Sequence, residues 1–244
     1  MRRTGLDRLA EAAIEPAAVK LIAEATYGKL PRRLLAEREP VLPAALAAPV
    51  RVEFTSPLAS RASVVRAFRV PSHVTASGHE SEALQLLQSI LGGGTTSRIY
   101  QDLVLNSKSA TAASAIYTSD RDGASFELYA DVADGVSVET VEKDLDRLIR
   151  DVVEFGIGEL ELEENRSMFK ATEVYDADNQ VTLATTYGSN LADGVSIGRI
   201  EGWTTAIGAV SLADINAVAR HYLADPNSVT VVMRPGGGAS ASVP

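Results

Sequence analysis

The pentapeptide Ser119-Asp120-Arg121-Asp122-Gly123 constrains this chain most, because an Asp-Gly step tolerates the positive φ of a tight turn between antiparallel strands. Strands are expected on both sides of it, over residues 110–118 and 125–132. Val50, Val52 and Phe54 alternate with Arg51, Glu53 and Thr55, the period of a half-buried strand. Residues 62–70 read as another, with Val64, Phe68 and Val70 on one face and Pro71 as its stop. Val138, Val141, Leu145, Leu148, Ile149, Val152 and Phe155 instead recur at three and four, an amphipathic helix that Gly156 ends. Leu84, Leu87, Ile90 and Leu91 predict a helix over 78–91, broken by Gly92-Gly93-Gly94 and followed by a second at 95–105. Mostly helical sequence at 159–191, and helices at 197–209 and 212–223, precede a last strand at 229–233. Hairpin strands with segregated helices indicate an α+β domain, an antiparallel sheet with helices packed on one face. The helix-rich second half is too long for crossovers and should form a layer of its own.

At 244 residues and 45% apolar the chain can bury a full core and is not a disordered polymer. Its 32 Asp+Glu exceed 23 Lys+Arg, and the net charge of −9 argues against a general nucleic-acid binder, which needs a basic face. No stretch approaches the roughly 18 to 20 apolar residues of a membrane span. With no cysteine, disulfide scaffolds, zinc ribbons and thiol nucleophiles are excluded. Residues 1–30 read as helical, with Pro16 at a first turn and Gly28 at an end. Residues 31–49, with Pro31, Pro40, Pro43 and Pro49, read as a linker. A new domain is expected over 50–235, and a disordered tail over 236–244.

Few residues could carry chemistry. An inverted zinc motif, HxxEH, needs two histidines four residues apart on one helical face. His79-Glu80-Ser81-Glu82-Ala83 supplies Glu82 but has Ala83 in place of the second histidine, so it reads as the polar start of a helix. His73 falls in a loop, His221 at a boundary of an amphipathic helix, and Trp203 in packing. No Gly-x-Ser-x-Gly elbow is present. The run Leu91-Gly92-Gly93-Gly94-Thr95-Thr96-Ser97-Arg98 suggests a phosphate cradle, but it follows a helix and lacks a lysine. A tight turn with Thr95 or Thr96 capping the next helix is the plainer reading.

The same run, continued by Ile99-Tyr100-Gln101-Asp102-Leu103-Val104, resembles the "LGGG-x-x-SRL-[FY]-x-x-L" signature of the second, non-catalytic domain of pitrilysin/insulinase-type zinc metallopeptidases, the inverzincins. Glu24 to Pro31 resembles the "YFGxLP" end of the family's first domain, and Arg66 to Pro71 its "xxYxxP" strand. Asp122-Gly123-Ala124-Ser125-Phe126 is similar to "DxGxF", Glu159-Leu160-Glu161 to the "ELE" helix start, and residues 229–235 to the closing "VxVVLxP" strand. The likeness spans roughly residues 17 to 235.

The resemblance implies a metallopeptidase half, similar to the domains of mitochondrial processing peptidase. Residues 1–30 would be the end of the zinc-bearing first domain. Residues 50–235 would be the inactive C-terminal domain that closes a chamber for extended peptides. This chain would hold no zinc, would be inert alone, and would pair with a zinc-bearing domain of the same gene or of another chain. Gly92, Gly93, Gly94, Ser97 and Arg98 would line the chamber or form a structural turn, with Arg98 either ion-paired locally or facing substrate. Many relatives carry an arginine–tyrosine pair beyond the glycines, and those positions align with Val104 and Thr111. Both residues are missing, as in two-chain members whose homologous partner subunit supplies the pair. A stand-alone scaffold or binding subunit of such a complex is the alternative, and an unrelated anion-binding domain using the glycine turn is a third. Location is left open; periplasmic export would need a leader upstream of Met1.

Overall fold

The computed structural model describes residues 15–31 and 46–236. The expected helix before Pro16, residues 32–45 of the expected linker and the tail after Gly236 lie outside the described residues. Pro16 occupies the first turn of α1 (Pro16–Thr26), where its missing N–H costs nothing. A 3₁₀ turn, Tyr27–Lys29, follows.

Five strands form one sheet: β1 (Val50–Ser56), β2 (Ser63–Val70), β3 (Ala110–Ser119), β4 (Ala124–Val132) and β5 (Val229–Pro235), in the order β1-β5-β2-β4-β3. The turn expected at Asp122-Gly123 joins β3 to β4, with Ser119 opposite Ala124 and the Asp120 N–H donating to Gly123 O at 2.9 Å, but neither Asp122 nor Gly123 takes the positive φ expected there. All pairs are antiparallel except one, since β1 runs parallel to β5 with Val52 opposite Val231. Sequence alternation shows which residues share a face but not which strand lies alongside, so this pair had no signal.

Register puts Val64, Phe68, Phe126, Leu128, Ala130, Ala115 and Val232 on one buried face. Over it lie α2 (Glu80–Gly92), α3 (Val138–Phe155) and the π-helical segment Ala219–Leu223, while α8 (Leu212–Val218) packs on α2. The apolar stripe of α3 is buried as its spacing predicts, with Ser137 Oγ capping the Thr140 N–H and Gly156, at φ +77°, ending the helix. The opposite face carries Val50, Val52 and Phe54, the last 47% exposed.

The other helices are α4 (Glu159–Ala177), α5 (Gln180–Asp193), α6 (Ile197–Glu201) and α7 (Trp203–Ala209). Of these, α4 and α7 pack on α2, giving the separate helical layer. The helical run expected at 159–191 breaks where the Asn179 side chain accepts from the N–H groups of Val181 and Thr182 and starts a new helix. The one expected at 197–209 breaks at Gly202. The helix expected at 95–105 begins only at Arg98 and is π-helical over Tyr100–Asn106. No helix among the described residues is long and apolar enough to cross a membrane.

Candidate functional site

The glycine turn owes Gly92 and Gly93 to closeness and Gly94 to a φ of +153°. A Cβ on Gly92 would stand 1.8 Å from the Ala115 nitrogen, so the end of α2 touches β3 backbone to backbone. At Gly93 a Cβ would meet the Ser89 carbonyl at 2.6 Å, the group that accepts the Gly93 N–H. Ser97 is buried and its hydroxyl donates to Gly94 O at 2.6 Å. Thr95 and Thr96 cap nothing with their hydroxyls among the described residues; the expected threonine cap is replaced by this serine clasp.

Arg98 leaves the turn sideways. Its Nε and one terminal nitrogen donate to the two Glu161 oxygens at 2.7 and 2.6 Å, and the same terminal nitrogen reaches Gly156 O at 3.0 Å. Burial raises the Glu161 carboxyl, but the Arg98 bonds, the Gly158 N–H and the Arg98 charge outweigh it and hold the carboxyl below its ordinary range. The guanidinium thus fastens the turn to the α3–α4 corner. Val104, in the π segment, is half-buried against the core. Thr111 is exposed at a β-bulge of β3 and accepts from an Arg61 terminal nitrogen at 2.5 Å.

At the start of α2, His79 is exposed, while Glu82 is buried at 2%. Glu82 accepts from Arg199 at 3.0 Å and from the Ser81 hydroxyl at 2.9 Å. With this carboxylate committed and Ala83 in the second ligand position, the residues here do not fit a zinc ion. Among the described residues, no group of three or more His, Cys, Asp or Glu could hold a metal. Sequence spacing gave no hint of the Glu82–Arg199 pair, whose partners lie on α2 and α6.

His73 is the other residue that spacing could not place. The indole N–H of Trp203 donates to Gln85 Oε1 at 2.7 Å, and Gln85 Nε2 lies 3.1 Å from His73 Nε2. Because indole only donates, Gln85 must present its amide nitrogen to His73. His73 Nε2 therefore accepts, and the ring is neutral with its proton on Nδ1. Tyr117 packs edge-on to it at 5.5 Å, and burial pushes the Tyr117 phenol up to about 12. Burial also lowers the His73 pKa from 6.5; Glu82 and Asp193 oppose that shift and Arg199 assists it.

A stability component follows from this. Below 6.5 the unfolded chain takes up a proton that folded His73 refuses, so stability declines as pH falls toward the lowered folded value and then levels. Urea midpoints measured between pH 7.5 and 5 should fall more steeply for the wild type than for His73→Gln. Parallel curves would refute the assignment.

No curated protein matches the chain by sequence. A protease from Helicobacter pylori superposes with a TM-score of 0.83 at 17% identity, covering 91% of this chain and 53% of that one. A peptidase M16 inactive domain from Pseudomonas fluorescens gives 0.73 at 17%, covering 93% and 52%. The periplasmic protease PqqL from Escherichia coli gives 0.67 at 18%, covering 92% and 25%. The chain thus spans about half the length of the first two structures and a quarter of the third. The family described as "Peptidase M16 inactive domain" matches residues 13–169. This chain belongs to that inactive-domain family.

Proposed function

We propose that the chain is the non-catalytic lobe of a zinc-dependent endopeptidase, pairing with a zinc-bearing domain and walling a chamber for extended peptides. The match to an inactive peptidase domain over residues 13–169 carries this reading. The commitments of Glu82 to Arg199 and of Glu80 to the Tyr222 hydroxyl and the Ser77 N–H support it, because α2 then has no carboxylate to spare for a metal. Leu21, Ile22 and Phe54 add to it as exposed apolar residues that a second lobe would cover. Residues 1–30 would belong to the first lobe and 31–49 to the connection. The lobe's physical contribution is exclusion of water and confinement of the peptide. Zinc and the bond-breaking groups would come from the other lobe. With Val104 and Thr111 where relatives place arginine and tyrosine, a homologous partner subunit would supply those contacts.

The purified chain should hold no stoichiometric zinc by inductively coupled plasma analysis and should not cleave a quenched fluorescent peptide. Co-expressed with an HxxEH-bearing domain of the same family and source, it should co-elute, and cleavage should appear. Stoichiometric zinc together with peptidase activity in the isolated chain would overturn the proposal.

A further inference from the structure

Two hollows beside α2, of about 400 and 500 Å³, share His73, Gln85, Phe169, Asn190 and Val195 in their walls and so form one groove. In the larger, Trp203 and Phe169 stand at 81° with centroids 5.5 Å apart, making an aromatic corner that Leu183 and Tyr187 extend. Four carboxylates, Glu82, Glu173, Asp176 and Glu201, line this end against one guanidinium, Arg199. Arg199 is held by Glu82 and Ser81. Glu173, Asp176 and Glu201 have no ionic partner among the described residues. At the narrow end Asp120 and Asp193 add negative charge, and neutral His73 adds no positive.

Aromatic faces beside unneutralised carboxylates attract a cation twice over, through the ring quadrupoles and through charge. For an anion the one attractive charge in this lining is Arg199, and Glu82 already holds it. An apolar corner also shelters an aliphatic stem, and a hollow of this size holds one long side chain.

We propose that this groove binds an organic cation: an ammonium or guanidinium head lodged among Glu173, Asp176 and Glu201, with its stem on Trp203 and Phe169. Two sources carry that chemistry, a lysine or arginine side chain of a peptide and a free polyamine. The inference stands apart from pairing with a zinc lobe.

Trp203 is the chain's single tryptophan, so its emission reports this groove alone. The protein would be titrated with spermidine, with a short peptide of alternating glycine and lysine, and with the same peptide bearing glutamate for lysine. The expected result is a saturable emission change with a cationic probe and none with the glutamate peptide. The Glu173→Gln/Asp176→Asn variant, altered at two exposed positions, should bind about tenfold more weakly. Asp134→Asn/Glu164→Gln, which removes the same charge from exposed positions outside the groove, should change affinity less than about twofold. A response to spermidine alone assigns a free amine, and a response to the lysine peptide alone assigns a side chain. Response to both assigns the cationic head itself. No saturable change, equal weakening in both double variants, or equal binding of the glutamate peptide would overturn the proposal.

Discussion

Gly92→Ala is expected to destabilise the fold by about 3 kcal/mol or more, lowering the thermal midpoint by about 10 °C. The added methyl would stand 1.8 Å from the Ala115 nitrogen and 2.6 Å from its Cα, so one backbone must move. Neither side can yield cheaply. Ala115 is paired to Leu128 in the β3–β4 ladder, and its carbonyl accepts from Gln88 Nε2 at 2.7 Å. Gly188→Ala is the matched control, since a Cβ there meets nothing within 4 Å inside α5. It should stabilise by about 0.5 to 1 kcal/mol through helix propensity. Denaturant melts of both variants check the pair, and a Gly92→Ala protein as stable as wild type would mean that the close approach is not real.

The second large effect is expected at Arg199. Among the described residues, Arg199→Met leaves the Glu82 carboxylate, whose side chain is 3% exposed, with Ser81 as its one side-chain hydrogen-bond donor. Orphaning one partner of a buried pair costs about 3 to 5 kcal/mol. The double variant Glu82→Gln/Arg199→Met should recover most of that loss, because no buried charge remains without an opposite. A double variant that merely sums the two single losses would show that the pair is not coupled.

Much of the fold was legible because its signals are local. Alternation placed β1 to β5 to within two residues at each end, and the three-and-four spacing placed α3 at its observed limits. The Asp122-Gly123 turn was readable from its composition, although neither residue takes the positive φ that the dipeptide tolerates. The glycine run was readable as a helix break, although what requires Gly92 is its approach to Ala115 on β3. Long-range pairings were not legible. Nothing local announces that β1 lies parallel to β5, or that Arg98 reaches across to Glu161. The breaks at Asn179 and Gly202 were not legible because each is decided at a single position, by a side-chain cap at Asn179 and by the glycine at 202, inside sequence that otherwise reads as helical. The candidate site divided the same way. Ala83 is a one-residue fact that ruled out the zinc motif, whereas the Glu82–Arg199 pair and the Trp203–Gln85–His73 chain join distant elements. Trp203 and His73, set aside as a packing residue and a loop residue, turn out to be joined through one amide.

The insertion of β5 between β1 and β2 has a consequence for biosynthesis. As the polypeptide leaves the ribosome, β1 emerges before the other described strands, yet β5, its one strand partner among the described residues, is translated after all of them. Until then β1 waits as an unpaired strand with Val52 and Phe54 uncovered, the kind of nascent segment that chaperones shield.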